Sequence, residues 1–201
     1  MSHPLYVIDD DEAVRRSLGL LLLSRGHAVQ AFASGETFLH SAALDQPGVA
    51  ILDLRMEGMS GLQVFDALRE RASPLVVLFL SGHGDIPVAV QAVQDGAFGW
   101  LEKPCPEERL LEMLDKAAAR AAEIGTRLQA RHAALALWHK LTPREMQVAR
   151  LVAEGHANKR IAQLLAPIEP RTVETHRAHV FAKLDVANSH ELDRFLREHG
   201  L

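Results

Sequence analysis

Cysteine is nearly absent from this chain of 201 residues, in which Cys105 is the only one. A single thiol excludes a disulfide framework or a multi-thiolate metal site within one chain, which fits a reducing compartment. Long apolar runs are also absent, because stretches such as 20–23 and 75–80 are far shorter than the ~20 residues that span a bilayer. Residues 1–4 lack the basic and then apolar pattern of a signal peptide. We therefore expect no export, no membrane partner and a cytoplasmic location.

The two halves of the sequence carry opposite net charges. Residues 1–118 contain 9 Lys and Arg against 17 Asp and Glu, a net charge of −8, whereas residues 119–201 contain 13 against 9, a net charge of +4. An acidic half suggests a cation or a phosphoryl group held near carboxylates, and a basic half suggests a polyanion such as nucleic acid. A chain of this length can form two small domains, each with its own core.

Short apolar runs alternate with helical patterns in the acidic half. The runs predict five strands, over 5–8, 28–32, 49–52, 75–80 and 98–101. The segments between them carry apolar residues on one face and predict helices over 12–24, 35–43, 61–69 and 86–93. This alternation is typical of an α/β fold, in which a parallel sheet is covered on both faces and ligands lie at the carboxyl ends of the strands.

The basic half is predicted to be entirely helical. One helical pattern runs from 106 to about 137, and further patterns follow over 142–154, 158–165, 171–184 and 189–198. Thr142 can cap a helix that has Pro143 at its first position and Glu145 three residues after the cap. The sequence therefore predicts a C-terminal all-α bundle of about four helices with no strands.

An apolar seam runs along the long helix that is predicted from 106 onward. Its members alternate in steps of four and three, and they are Leu110, Leu114, Ala117, Ala121, Ile124 and Leu128. Leu110 and Leu114 are expected to cover the sheet. Beyond Ala118 the seam could pair with a second chain as a coiled coil, although Gly125 and Thr126 weaken the helix there. Whether this part of the helix forms a dimer is left open by the sequence.

Acidic residues follow two of the predicted strands. Asp9, Asp10 and Asp11 come after the strand 5–8, and Asp53 comes after the strand 49–52. If both strands are central and parallel, these carboxylates converge in one crevice. Several close carboxylates repel one another, and a hard cation such as Mg²⁺ makes such a cluster tolerable. We therefore expect a Mg²⁺ site at this edge of the sheet.

Two further strand ends supply groups that suit a bound phosphoryl group. Ser81 follows the strand 75–80 and offers a hydroxyl, and Lys103 follows the strand 98–101 and offers an ammonium. Any one of these polar residues alone is explained by a helix cap or a solvated turn. Acid, acid, hydroxyl and lysine at four strand ends, in that order, are much less expected by chance.

These residues lie in motifs that closely resemble the receiver domains of two-component response regulators, over residues 4 to about 118. The matching motifs are Val7-Ile8-Asp9-Asp10, Leu52-Asp53-Leu54-Arg55-Met56, Met59-Ser60-Gly61, Leu80-Ser81-Gly82-His83-Gly84-Asp85 and Glu102-Lys103-Pro104. The resemblance implies a doubly wound, flavodoxin-like fold with five parallel strands in the order 2-1-3-4-5.

The resemblance also implies the roles of the acidic residues. Asp53 is then the phosphoacceptor, which takes a phosphoryl group from the phosphohistidine of a sensor histidine kinase. Asp9 and Asp10 match the acids that bind Mg²⁺ with Asp53, and the backbone carbonyl of Arg55 matches the third protein ligand. Asp11 is expected to be a loop or cap residue.

The remaining positions of the site include two departures from the usual receiver pattern. Ser81 matches the switch hydroxyl and Lys103 matches the lysine that contacts the phosphoryl group. Trp100 stands where the switch aromatic is usually Tyr or Phe, so it either performs that switch or packs at a strand edge. Glu57 stands where the family usually has proline, which predicts a more mobile and more acidic loop.

The basic half resembles the helix-turn-helix domains of the LuxR, FixJ and NarL type, from Leu141 to about Leu192. The matching motifs are Leu141-Thr142-Pro143-Arg144-Glu145, Asn158-Lys159-Arg160-Ile161-Ala162, Thr172-Val173-Glu174-Thr175-His176 and Lys183-Leu184. The resemblance implies that the helix 171–184 reads the major groove. The residues expected to contact DNA are Lys159, Arg171, Thr172, Glu174, Thr175, Arg177, Ala178 and Lys183.

Three details of this helix-turn-helix region qualify that expectation. Val173, Val180 and Leu184 should face the bundle core. His176 and His179 are three residues apart without a third ligand in view, so no metal site is expected there. The turn 166–170 is one residue longer than usual, with Glu169 in place of the usual serine cap, which leaves the angle of the reading helix open.

The sequence as a whole predicts a transcription factor rather than an enzyme. We expect a receiver domain over 1–118, a helical linker over 119–139 and a DNA-binding domain over 140–201. Phosphorylation of Asp53 is expected to promote homodimerisation and binding to double-stranded promoter DNA. One alternative is a phosphorylation-dependent adaptor that binds a protein. A phosphohydrolase is another, although Arg55 stands where its second aspartate would be needed.

Overall fold

The structure is a computed structural model of the chain, and it describes residues 3–82 and 86–201. The chain divides into two compact units, an N-terminal unit over Met1–Thr126 and a C-terminal unit over Arg127–Leu201. Of the predicted receiver motifs, His83, Gly84 and Asp85 lie outside the described residues.

The described part of the N-terminal unit contains a five-stranded parallel sheet. Its strands are β1 (Leu5–Ile8), β2 (Val29–Phe32), β3 (Gly48–Leu52), β4 (Leu75–Ser81) and β5 (Gly99–Glu102). Its helices are α1 (Glu12–Ser24), α2 (Gly35–Ser41), α3 (Gly61–Glu70), α4 (Ile86–Gln94) and the first part of α5 (Glu107–Trp138). The strand order is β2-β1-β3-β4-β5, and each neighbouring pair is parallel. The predicted fold and strand order are confirmed.

Both faces of the sheet are covered by apolar cores, as the continuous apolar runs predicted. Successive side chains of a strand point to opposite faces. In β1, Val7 therefore lies in the cluster that includes Leu18 of α1 and Leu114 of α5. Ile8 lies in the opposite cluster, which includes Phe38 of α2 and Phe65 of α3.

Side-chain caps start two helices at the carboxyl edge of the sheet. Asp11 accepts hydrogen bonds from the backbone N–H groups of Ala13 and Val14, so it caps α1, as expected. Ser60 and Gln63 form a capping box at the start of α3. Both helices therefore begin next to the strand ends that carry the predicted site.

The apolar seam of α5 continues into the core of the N-terminal unit beyond Ala118. Ala117 and Ala121 are fully buried in the same cluster as Leu114, and Ile124 packs against it. A Cβ atom at Gly125 would lie 3.1 Å from Cε1 of His3, so the absence of a side chain lets the helix approach the N-terminal segment closely. The seam through Ile124 thus covers the sheet of its own unit.

The described C-terminal unit is entirely helical, as predicted. It contains the end of α5 and the helices α6 (Pro143–Ala153), α7 (Asn158–Leu164), α8 (Pro170–Leu184) and α9 (Ser189–His199). Their core includes the buried residues Trp138, Val148, Ile161, Val180 and Leu192. No helix in 3–82 or 86–201 is both long and apolar enough to span a membrane.

Candidate functional site

The ends of β1 and β3 place the predicted acids side by side. The backbone N–H of Asp53 donates to the carbonyl of Ile8 at 2.8 Å, and that of Asp9 donates to the carbonyl of Phe32 at 3.2 Å. Each bond extends the parallel ladder by one residue. Asp9 and Asp53 therefore emerge at the carboxyl edge of adjacent central strands, where ligands of open α/β sheets bind.

Three of the predicted acids form one carboxylate cluster. Asp9, Asp10 and Asp53 each offer a ligand oxygen, and these oxygens lie within 4.8 Å of one another. Asp9 is 3% exposed and Asp53 is 7% exposed, whereas Asp10 is open to solvent. Hard oxygen donors at this spacing suit a divalent cation such as Mg²⁺. Arg55, whose carbonyl is the predicted third ligand, follows Asp53 by two residues and is exposed.

Lys103 bridges the two buried acids of this cluster. Its ammonium nitrogen Nζ lies 2.6 Å from Oδ2 of Asp9 and 3.0 Å from Oδ1 of Asp53. Burial works against the charged ammonium, but the hydrogen bonds to both carboxylates outweigh it and raise the pKa of Lys103. The lysine therefore stays charged at neutral pH and neutralises part of the cluster.

Asp53 is less acidic than a solvated aspartate. Burial raises the pKa of its carboxyl, and repulsion from Asp9 and Asp10 adds to that effect, while the hydrogen bond from Lys103 acts in the opposite direction. A carboxylate that is poorly stabilised by its surroundings interacts more strongly with an added cation. The cluster is thus short of positive charge, and a divalent ion would supply it.

Ser81 and Trp100 lie on the strands that flank this cluster. Ser81 ends β4 and is 1% exposed, and its carbonyl accepts the backbone N–H of Lys103 at 2.7 Å. Trp100 pairs with Phe79 across β4 and β5, with the two ring centroids 5.3 Å apart. The indole is half-buried against the core cluster on that face of the sheet.

Sequence reasoning did not identify two contacts of the segment after β3 as parts of the site. A Cβ atom at Gly61 would overlap the backbone oxygen of Asp53, so only glycine lets α3 start this close to the acid. The backbone N–H of Glu57 donates to Oδ2 of Asp10 at 2.9 Å. Receiver domains usually have proline at this position, and proline lacks that N–H. The replacement of proline by Glu57 was therefore the feature of the sequence that could have predicted this hydrogen bond.

In the C-terminal unit, α8 presents most of the predicted DNA-contacting residues to solvent. The exposed members of the set are Lys159 on α7 and Arg171, Thr172, Glu174, Thr175 and Ala178 on α8. The three residues that were expected to face the core, Val173, Val180 and Leu184, are buried as predicted. One face of α8 is thus anchored while the other carries short and polar side chains.

Two of the predicted DNA contacts are engaged inside the unit. Arg177 is half-buried and donates from Nη1 to Oδ1 of Asn158 at 2.8 Å. Lys183 is also half-buried, and its Nζ lies 2.7 Å from Oε2 of the buried Glu145. Sequence reasoning missed Asn158 and Glu145 as partners, because each is far along the chain from the cation that it meets.

The longer turn before α8 leaves the start of this helix without a side-chain cap. Glu169 is the N-cap residue, and its side chain makes no cap hydrogen bond. The backbone N–H groups of Thr172 and Val173 donate to the carbonyl of Glu169 at 2.9 and 3.2 Å. Arg144 of α6 donates to the carbonyl of Leu165, the C-cap residue of α7. Contacts with α6 and α7, such as those of Lys183 with Glu145 and of Arg177 with Asn158, therefore hold α8 in place.

Two protein families match the chain. Residues 5–115 match the response regulator receiver domain. Residues 139–196 match the luxR family of bacterial regulatory proteins.

Several known proteins are similar to this chain over nearly its whole length, across both of these parts. The C4-dicarboxylate transport transcriptional regulatory protein DctR of Rhodobacter capsulatus is 43% identical over 96% of this chain and 99% of DctR. The transcriptional regulatory protein FixJ of Azorhizobium caulinodans is 40% identical over 96% of this chain and 91% of FixJ. The solved structure of the response regulator StyR, 34% identical, has a TM-score of 0.83 and covers 98% of this chain and 100% of its own. The chain therefore belongs to the FixJ type of transcriptional response regulator, in which a receiver domain is joined to a LuxR-type DNA-binding domain.

Proposed function

We propose that Asp53 is the phosphoacceptor of this response regulator and that its phosphorylation controls DNA binding. The observation that carries the proposal is the convergence of Asp9, Asp10 and Asp53 at the carboxyl edge of the sheet, with Lys103 between two of them. The receiver domain implies a sensor histidine kinase as the donor, and the LuxR-type domain implies double-stranded DNA as the target.

The proposed reaction is a transfer between two covalent carriers. An oxygen of the Asp53 carboxylate attacks the phosphorus of a phosphohistidine, the P–N bond breaks, and its electron pair stays on the imidazole. An acyl phosphate forms on Asp53. The new group adds roughly −1.5 to −2 charge at a buried carboxylate, so nearby cations are needed to offset it. In this proposal the chain acts as a switch and not as a turnover enzyme.

Mg²⁺ is the proposed cofactor, held by Asp9, Asp10, Asp53 and the backbone carbonyl of Arg55. When bound, it would neutralise phosphoryl oxygens and orient them for in-line transfer. The described carboxylate oxygens provide the hard ligands that it prefers. Lys103 already lies within hydrogen-bond distance of Asp53, so its ammonium can exchange a carboxylate oxygen for a phosphoryl oxygen.

The proposed switch connects the acidic site to a surface of the receiver domain. Ser81 would donate its hydroxyl to the phosphoryl group, and Trp100 would change its packing on Phe79 in response. The surface that this movement reshapes includes α4, where Val90 is 51% exposed and Val93 is 46% exposed. Exposed apolar side chains of this kind fit a homodimer interface that forms on phosphorylation.

The DNA-binding role is proposed for the exposed side of α8 and the start of α7. Glu174, Thr175 and Ala178 would face base edges, with Lys159, Arg171 and Thr172 close to the phosphates. Arg177 and Lys183 are further candidates whose side chains also serve the internal contacts described above. A phosphorylated dimer would place two such helices in successive turns of the major groove.

The proposed organisation follows from these two sites. Residues 1–118 would act as the receiver domain, 119–139 as a helical linker and 140–201 as the DNA-binding domain. The place of action is proposed to be the cytoplasm, where a bacterial regulator meets its promoter DNA.

The test is phosphorylation of the purified chain with acetyl phosphate and Mg²⁺. Mass spectrometry should find an acyl phosphate on the peptide that contains Asp53, and none in an Asp53→Ala variant. The matched control is Asp66→Asn, because this exposed acid lies on α3, outside the carboxylate cluster, and pairs with Arg69. The phosphorylated chain and the control should bind promoter DNA more tightly than Asp53→Ala. Equal DNA binding by all three proteins would contradict the proposed switch.

A further inference from the structure

Asn158, the first residue of α7, joins two side chains of the reading helix. Its Oδ1 accepts a hydrogen bond from Nη1 of Arg177 at 2.8 Å. Its Nδ2 donates to Oε1 of Glu174 at 3.4 Å. Glu174 and Arg177 are three residues apart on α8, so both lie on the side of that helix that faces the start of α7. One amide thus holds a base-facing candidate and a basic residue together.

Arg177 has a second contact that fixes its guanidinium. The guanidinium carbon lies 5.5 Å from the ring centroid of Phe181, one turn further along α8. The planar group is therefore held between an aromatic face and an amide oxygen, and the residue is half-buried. A cation used only to meet a DNA phosphate has no need of such a fixed orientation.

The two helices joined by Asn158 also lack local capping at their starts. Ala157 occupies the N-cap position of α7 and Glu169 occupies that of α8, but neither side chain makes a cap hydrogen bond. The angle between the helices therefore depends on tertiary contacts. Ile161 and Val173 are buried in the same apolar cluster, and apolar packing of this kind has no directional preference. The Asn158 amide, in contrast, makes directional hydrogen bonds.

We propose that Asn158 and Arg177 form an anchor that sets the orientation of α8 and of the Glu174 carboxylate, and so determines which base pair the helix reads. This inference rests on the proposed DNA-binding function. A glutamate in the major groove accepts a hydrogen bond from the amino group of cytosine, which requires a fixed carboxylate position. Asn158 and Arg177 are positioning residues in this proposal, which assigns Arg177, one of the candidate DNA contacts above, to the contact with Asn158 rather than to a phosphate.

The experiment separates positioning from phosphate contact by means of salt dependence. The full-length chain, phosphorylated with acetyl phosphate, first selects a duplex from a random-sequence library. The dissociation constants of each variant are then measured over a range of salt for the selected duplex and for a mixed-sequence duplex of equal length. The specificity ratio is the dissociation constant for the mixed-sequence duplex divided by that for the selected duplex, so a larger ratio means higher specificity. The slope of the logarithm of affinity against the logarithm of salt concentration reports the number of phosphates contacted.

The expected result is that Asn158→Ala and Arg177→Lys each lower the specificity ratio about tenfold without changing the salt slope on the mixed-sequence duplex. The double variant should lose little more than either single variant, because both act on one contact. Arg171→Gln is the control, since a lost phosphate contact should lower the slope by about 1 and leave the ratio nearly unchanged. Library selection with Asn158→Ala should relax the preference at one base pair per half-site.

Two results would overturn the proposal. The first is a wild-type ratio in Arg177→Lys, because lysine replaces arginine well at a phosphate but not in a planar anchor. The second is an equal loss of affinity for the two duplexes in Asn158→Ala and in Arg177→Lys, together with a lower melting temperature, because that combination indicates a folding effect. If the wild-type chain selects no duplex, the DNA-binding proposal fails instead. Amide hydrogen exchange then tests whether Asn158 holds α8 in place. The proposal predicts faster exchange over 172–178 in Asn158→Ala and unchanged exchange in α6.

Discussion

The carboxylate of Glu145 on α6 is held by the ammonium of Lys183 on α8, with 2.7 Å between Oε2 and Nζ. The same oxygen accepts the backbone N–H of Thr142 at 2.7 Å, which closes the capping box of α6. Burial opposes ionisation of Glu145, but these hydrogen bonds outweigh it and lower the pKa of its carboxyl to about 2. One buried acid thus caps α6 and ties it to the end of α8.

This pairing predicts that the C-terminal unit loses stability in acid. The pKa of Glu145 is about 2 in the folded chain, against a reference value of 4.5. A lowered folded-state pKa means that the stabilisation is complete above pH ~4.5 and is lost as the pH falls toward ~2. The loss should be on the order of 3 kcal/mol. Urea unfolding at several pH values, followed by Trp138 fluorescence in a Trp100→Phe background, measures it.

The control for this pH dependence is Glu145→Gln. This variant should be less stable at pH 7 by about 1–3 kcal/mol, because Lys183 loses its ionised partner. Its free energy of unfolding should change less between pH 5 and pH 2 than that of the parent chain. Parallel curves for the two proteins would show that other carboxylates cause the acid transition.

Lys103 should be required for the stability of the receiver unit only when no divalent cation is present. The variant Lys103→Met leaves Asp9 and Asp53 close together without the ammonium that bridges them. In EDTA we expect the free energy of unfolding to fall by about 3 kcal/mol. Added Mg²⁺ should restore more stability to this variant than to the parent chain, because the ion then supplies the missing charge.

The matched control for this metal dependence is Lys116→Met. Lys116 pairs with Glu112 at 2.6 Å on the exposed side of α5, where an ion pair contributes at most ~1 kcal/mol. Its unfolding in EDTA and in Mg²⁺ should follow the parent chain. An equal response of the two lysine variants to Mg²⁺ would contradict a cation site beside Lys103.

Gly61 should resist substitution although it is the first residue of a helix. In Gly61→Ala the new Cβ would overlap the backbone oxygen of Asp53, so α3 or the loop after β3 must shift. We expect a loss of about 1–3 kcal/mol in stability and slower phosphorylation by acetyl phosphate. Gly19→Ala is the control, because nothing lies within 4 Å of a Cβ there and alanine favours the helix by roughly 0.5–1 kcal/mol. A Gly61→Ala variant as stable and reactive as Gly19→Ala would refute the close approach.

The sequence predicted the strand ends well because apolar runs stop where the polar residues begin. Asp9 and Asp53 could be placed at one edge of the sheet for that reason, and the resemblance supplied the strand order. The bridge from Lys103 could not be predicted, since a strand end places a side chain at an edge without fixing its rotamer. Glu145 and Lys183 are 38 residues apart in the sequence, so their contact could not be predicted either. The capping box with Thr142 already explained why a glutamate stands at position 145.

The seam of α5 shows a further limit of periodicity, which identifies a buried face but not the partner that buries it. Ala121 is 0% exposed and belongs to the core of the N-terminal unit. Ala121→Asp should therefore lower the stability of that unit by more than about 3 kcal/mol, because an unpaired carboxylate would be buried. The neighbouring variant Ala122→Asp places the same charge on an exposed position and should have little effect. Chemical unfolding followed by Trp100 fluorescence in a Trp138→Phe background measures the difference, and sedimentation of the folded proteins reports their association. If Ala121→Asp leaves the unfolding curve unchanged and instead abolishes a dimer that Ala122→Asp retains, the seam packs against a second chain.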